Sequence, residues 1–254
     1  MVDVSLRDKV KAGGSADAPR LRPRVRTPRV LLRPTAIAVA TVVVAVALVI
    51  GIRAAIDGWN ENAVLSGASP DPTPVELVIA AERLSIPANM IRSARARRGG
   101  AVERVDLALH WPTLAGFSDA LAGVFRDASP EAPVIYAAIV PREMPVDSTG
   151  RLETVYARFF VGKASPGPNG LVGRELGEES GYGGEIVYFA PSEARPFVAR
   201  CLADTVTDVP ATCLRDVNLG QGLSLNYRFN RSLLGDWADL DAGIRRLAAR
   251  FLAN

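Results

Sequence analysis

Eighteen consecutive residues, Thr35 to Ile52 (TAIAVATVVVAVALVIGI), carry no charge and are bracketed by Arg33 and Arg53. Coiled as an α-helix, this run would cover about 27 Å, the depth of the hydrocarbon core of a bilayer. Strands and helices of a water-soluble core seldom stay apolar for so long, so a transmembrane helix over 35–52 is expected. A cleaved signal peptide is the closer competitor. Its apolar region is normally shorter, and here the basic segment ahead of the run exceeds thirty residues. The nearest small-residue cleavage pattern, Ser66 to Ala68, lies well downstream, so an uncleaved anchor fits better.

Arginine placement orients that anchor. Arg20, Arg22, Arg24, Arg26, Arg29 and Arg33 precede the run, whereas Arg53 is the only basic residue close behind it. The rule that positive flanks stay in the cytoplasm puts the N-terminus inside and residues 60–254 on the far side of an inner membrane, in the periplasm. Residues 1–34 carry a net charge of +6, mix Gly, Ala, Pro and Arg without hydrophobic period, and read as a disordered cytoplasmic tail. Its charge serves topology first and contact with anionic headgroups second. The segment 53–74, with SGASPDPTP at its end, reads as juxtamembrane linker, leaving 75–254 for one globular domain.

The overall charge of +3 would suggest nucleic acid as a partner, but residues 54–254 carry a net charge of −4. A phosphate-binding surface needs the opposite sign, so nucleic acid is not expected as a partner. The expected contacts are the bilayer, through 35–52, and a periplasmic or inner-membrane protein. One histidine and two cysteines in the whole chain leave little room for a zinc site, and neither a metal nor a cofactor is expected.

Those two cysteines, Cys201 and Cys213, close a thirteen-residue loop that contains Pro210. In an oxidising compartment a disulfide between them would contribute about 3 kcal/mol by restricting the unfolded chain. Two unrelated buried thiols are the alternative in a cytosolic domain, and the topology argument disfavours it. The spacing is not that of a redox CxxC pair.

Strand-like runs rich in Val, Ile, Tyr and Phe fall at 75–86, 102–111, 133–140, 170–176, 185–189, 197–202, 212–217 and 223–229. LSLNYRF, 223–229, alternates cleanly, and NLGQG before it reads as a hairpin turn. Antiparallel pairing of 197–202 with 212–217 would bring the two cysteines together and make a meander of the last four strands. Helices are expected at 114–126, at 152–160 and, most clearly, toward the C-terminus. There Leu233, Trp237, Leu240, Ile244, Leu247 and Phe251 fall on one stripe. Asn230 or Ser232 can cap this last helix, and its acidic start and basic end suit the helix dipole. The predicted fold class is therefore α+β: one N-terminal transmembrane helix, then a largely antiparallel sheet packed with a C-terminal amphipathic helix.

Catalytic signatures do not emerge. HExxH, GxGxxG and GxSxG are absent, and Gly162-Lys163 lacks the surroundings of a phosphate loop. His110, in LALHWP, can be a general base or pH sensor, but no partner for it is identifiable and a half-buried structural histidine is the preferred reading. GEESGYGG, 177–184, can be a ligand-covering loop with Tyr182 at its tip or simply a hairpin connection, which needs no ligand. Arg92, Arg95, Arg97 and Arg98 form the most one-sided charge of the outer domain, fit to grip an anionic ligand or an acidic partner, or to be a solvated loop. No catalytic residue is assigned. The expected function is a non-enzymatic accessory or protein-interaction domain at the membrane surface. A tethered periplasmic hydrolase, built from carboxylates on distant strands, and a sensor of an anionic ligand are the alternatives.

The fragments LSIPANMIR, VDLALHWP, RLETVYARFF, YFAP and FNRSLLGDW resemble uncharacterised single-span membrane-anchored proteins of alphaproteobacteria, a resemblance that covers residues 77–252. That resemblance implies an inner-membrane protein of unknown activity and supplies no functional residues.

Overall fold

The computed structural model describes residues 68–129, 131–203 and 210–252. The tail and the apolar run at 35–52 lie outside them, and among the described residues no helix is long and apolar enough to cross a membrane. The first strands are β1 (Pro74–Ile79) and β2 (Glu82–Pro87), an antiparallel hairpin where the sequence suggested one strand over 75–86. The chain reverses at Ala80, which takes φ +54°. Alanine is an uncommon residue at positive φ, so no Gly or Asn marks this turn. A two-residue β3 (Gly100–Ala101) joins β1 in parallel and completes a small sheet.

The main sheet collects β4 (Val105–His110), then, after a short helix α1 (Ala122–Arg126), β5 (Val134–Pro141). Helix α2 (Ser148–Thr154) leads into β6 (Phe160–Pro166), β7 (Val172–Leu176), β8 (Glu185–Phe189), β9 (Val198–Leu202), β10 (Thr212–Leu219) and β11 (Leu223–Asn230). Helix α3 (Trp237–Phe251) closes the domain. The strand order is β4-β5-β11-β10-β9-β8-β7-β6 with every neighbour antiparallel, so the meander expected of the last four strands extends to six. The α+β class with an antiparallel sheet and C-terminal helix stands.

Three local expectations are corrected. The helix over 114–126 shrinks to α1, because Leu114 sits at φ +55° and Gly116 passes so close to Asn89 that a Cβ there would lie 2.6 Å from its carbonyl oxygen. The helix over 152–160 starts earlier, at Ser148, where the Asp147 side chain accepts from Gly150 N at 3.1 Å, and gives way to a 3-10 turn at Tyr156–Phe159. Its stripe nevertheless packs together: Leu152, Val155, Tyr156, Phe159 and Phe160 gather over Leu176 of β7, Val187 of β8 and Val198 of β9. The strand β6 has no counterpart in the sequence reading. As a sheet edge it is exposed at every position after Phe160, which erases the alternation that betrays a strand.

The two faces of the main sheet differ. One buries Leu107, Ile135, Ile139, Val217, Leu225, Tyr227 and Phe229 in a single core with Leu77, Ile79, Leu84 and Ile86 of the small sheet and Leu240, Ile244, Leu247 and Phe251 of α3. Cys201 and Cys213 belong to this core, face each other in register across β9 and β10, and are joined in a disulfide. Asn230 caps the C-terminal segment by accepting from Ser232 N at 2.7 Å, but a 3-10 turn at Arg231–Asp236 precedes α3. Trp237, at the start of α3, lies against Phe197 with ring centroids 5.1 Å apart and donates from Nε1 to the Asn169 carbonyl at 3.1 Å. Trp237→Phe keeps the ring contact, loses that bond and some volume, and is expected to cost about 1–2 kcal/mol in chemical denaturation.

Candidate functional site

Strand alternation sends every second residue to the second face of the main sheet, and the register decides which of them meet. One row across the strands reads Arg200 (β9), Leu214 (β10), Arg228 (β11), Tyr136 (β5) and Ala108 (β4). The row beside it reads Asp216, Asn226, Ala138 and Asp106. Helix α2 and the turn after it cover this face over β7 to β9. Over β4, β5, β11 and β10 it forms an open concavity of about 430 Å³, flanked by Arg92 and Arg104 and by Ser148, Arg151, Tyr156 and Tyr182. A second hollow of about 460 Å³, lined by Val134, Leu202, Pro210, Thr212 and Phe229 among others, shares Tyr136 and Arg228 with it.

Both acidic side chains in the first concavity are already engaged. Asp216 accepts a close hydrogen bond from Arg151 Nη2 and another from Ser148 Oγ at 2.6 Å. Asp106 accepts from Arg104 Nη2 at 2.5 Å. Arg200 pairs with Glu185 at 2.9 Å and spreads its guanidinium over the Tyr182 ring, 3.8 Å from the centroid. Burial raises the Glu185 carboxyl above its ordinary range, and the nearby Arg200 charge only partly offsets that.

Two guanidiniums differ from these. Arg92 lies 4.9 Å and Arg228 5.5 Å from the centroid of the one Tyr136 ring. Both are exposed, and neither guanidinium makes an ion pair or hydrogen bond among the described residues. Opposite in sign to the domain as a whole, the concavity is cationic.

The residues singled out from the sequence are dispersed. Arg92 lines the concavity, but Arg97 turns its Nη1 back to the carbonyls of Ile91, at 2.7 Å, and Arg92, at 3.3 Å, and neither Arg95 nor Arg98 lines it. His110, at the end of β4, is half-buried, meets Thr113 Oγ1 through Nδ1 at 2.9 Å, and borders neither hollow. Tyr182 does line the concavity, from the connection between the antiparallel strands β7 and β8. Sequence reasoning missed Tyr136, Arg151, Arg200, Asp216 and Arg228. The polar positions of LSLNYRF offered a signal, since Arg228 must leave the core face there, but register with β5 and β10 was needed to give it neighbours. Among the described residues, no three His, Cys, Asp or Glu side chains gather to hold a metal ion.

Another charged group missed from sequence lies beneath α3. Arg215, 2% exposed, grips Asp241 with Nε to Oδ1 at 2.9 Å and Nη2 to Oδ2 at 3.2 Å, and also donates to the Val198 carbonyl at 2.8 Å. Tyr227 OH donates to Asp241 Oδ1 at 2.6 Å and Arg245 Nε to Oδ2 at 3.0 Å. Burial alone would raise the Asp241 carboxyl, but the Arg215 charge, the hydrogen bonds from Arg215 and Tyr227, and Arg245 outweigh it and hold the carboxyl below its ordinary range. Burial drives the Tyr227 hydroxyl well above its own.

The chain matches no protein-family model and no curated protein sequence. A solved structure with which it shares a loose likeness is the crystal structure of the Neisseria meningitidis iron-regulated outer membrane lipoprotein FrpD. The TM-score is 0.45 and the identity 11%, over 74% of this chain and 98% of that one, too loose a likeness to carry a function across.

Proposed function

We propose that the chain is a membrane-anchored, non-enzymatic binding module of the periplasmic face of an inner membrane, related to uncharacterised single-span proteins of alphaproteobacteria. In this reading residues 35–52 cross the bilayer with the N-terminus in the cytoplasm, and the uncovered face of the main sheet receives the partner. The observation that carries it is the state of the charges in the concavity. Each carboxylate there is neutralised by a guanidinium, which suits neither a general base nor a general acid, whereas Arg92 and Arg228 stand unpaired at the surface. The Cys201–Cys213 disulfide agrees with an oxidising compartment, as the arginine asymmetry around 35–52 requires.

Two measurements test this in cells. Alkaline phosphatase fused after Asn254 is expected to be active, and an inactive fusion paired with a fluorescent cytoplasmic reporter would reverse the orientation. A photo-crosslinking amino acid at Leu214, exposed in the concavity, is expected to give a discrete adduct that the same probe at Arg246, on the outer side of α3, does not. Turnover of a glycan, ester or peptide by the purified chain, abolished by Asp216→Asn, would replace the binding module with a hydrolase.

A further inference from the structure

We propose that Arg92 and Arg228, converging on Tyr136, form a clamp for the oxyanion groups of a small polyanion carrying carboxylates or phosphates. This proposal rests on the binding-module reading and names the chemistry of its ligand. A guanidinium that stacks on an aromatic ring uses its face for the ring and keeps its N–H edge for a planar, bidentate oxyanion. Arg92 and Arg228 both lie over the one Tyr136 ring and neither guanidinium donates a hydrogen bond among the described residues, so two sets of N–H donors are left for a ligand. The other cationic side chains of the concavity are committed: Arg104 to Asp106, Arg151 to Asp216, Arg200 to Glu185 and Arg215 to Asp241.

Charge placement argues in the same direction. Residues 54–254 carry a net charge of −4, yet two like charges share a ring here with no carboxylate against either. No carboxylate of the described residues lies within ion-pairing distance of either, so an anion bound there would relieve their repulsion. The hollow of about 430 Å³ has the size of a site for a small molecule, and on its floor Ala138, Leu214 and Asn226 carry no charge while the flanking Asp106 and Asp216 are each paired with an arginine. Two donors call for a ligand with at least two oxyanion groups, and a single carboxylate would engage only one.

The test uses the full chain in a non-ionic detergent, titrated calorimetrically with citrate and, separately, with inorganic pyrophosphate. Binding of one equivalent is expected, weakening as salt rises from about 50 to about 300 mM. Arg92→Gln and Arg228→Gln should each weaken it about tenfold, the loss of a charge-assisted pair, with melting temperature unchanged because both side chains are exposed. Arg246→Gln, on α3, should leave it as it was. Preference for pyrophosphate assigns a phosphate ligand, and preference for citrate a polycarboxylate. Equal loss in Arg246→Gln would reduce the effect to general surface charge and overturn the clamp. No binding of either probe by the folded chain overturns it too, while a persisting Leu214 adduct would leave the binding module in place. Binding with no adduct upholds the clamp and removes the macromolecular partner.

Discussion

Replacing Asp241 with alanine is expected to lower the stability of the domain by about 3–5 kcal/mol, because it takes from the buried Arg215 guanidinium its ion-pair partner and leaves nearby only the charge of Asp147, which is not bonded to it. Tyr227, fully buried with its hydroxyl pointed at the same carboxylate, loses its acceptor as well. The melting temperature of the full chain should fall on the order of 10 °C. Substituting the pair together, Arg215→Met with Asp241→Leu, is expected to restore much of the loss, since an apolar pair carries no desolvation penalty. A double variant no more stable than Asp241→Ala would show that the network is needed for packing rather than for charge balance.

Acid should expose the same group. The folded-state value of the Asp241 carboxyl is depressed, so its stabilisation is complete above about pH 4, the ordinary carboxylate value, and disappears as pH falls through the depressed one. The gap in unfolding free energy between the wild type and Asp241→Ala should therefore narrow below pH 4. Glu185 acts in the opposite sense: its carboxyl is raised, so it costs stability above its folded-state value and ceases to do so once protonated.

Removing the disulfide is the second large effect. Cys201→Ala with Cys213→Ala is expected to cost about 3 kcal/mol, chiefly by releasing the thirteen-residue loop in the unfolded chain. Both side chains are in the main core, 1% and 0% exposed, so the lost sulfurs also leave space within it beside β9 and β10. Guanidinium denaturation of the full chain should show a lower midpoint and a steeper slope, since the uncrosslinked chain exposes more surface on unfolding. An unchanged midpoint would mean that the in-register pairing of β9 with β10 holds these strands without the crosslink.

Legibility in the sequence followed burial. Where one face of an element is buried and the other wet, the period survives: LSLNYRF alternates as β11, and the stripe from Leu240 to Phe251 faces the core as α3. Where both faces are wet, as in β6, or where a turn is made by Ala80 instead of glycine, the pattern carries no mark of the structure. Asp241 illustrates a different limit. By position it belongs with the acidic residues that favour a helix start, and only the strand packed beneath α3 shows it to be the counter-charge of Arg215.

The sequence by itself determined the apolar run at 35–52 and its arginine flanks, the antiparallel class, the cysteine pair and the amphipathic C-terminal helix. All of these depend on residues close in the chain, or on a strand pairing that one hairpin-like meander makes natural. Tertiary structure alone decided the concavity. Arg92, Tyr136, Arg200 and Arg228 come from four separate stretches: the pairings of β5, β11, β10 and β9 bring the last three to one face, and the bridge of Ile91 to Leu107 of β4 brings Arg92 beside them. A shift of one residue in any of those registers would turn the arginines into the core and the core into water, and the free energy of that core, not any motif in the chain, selects where the charges stand.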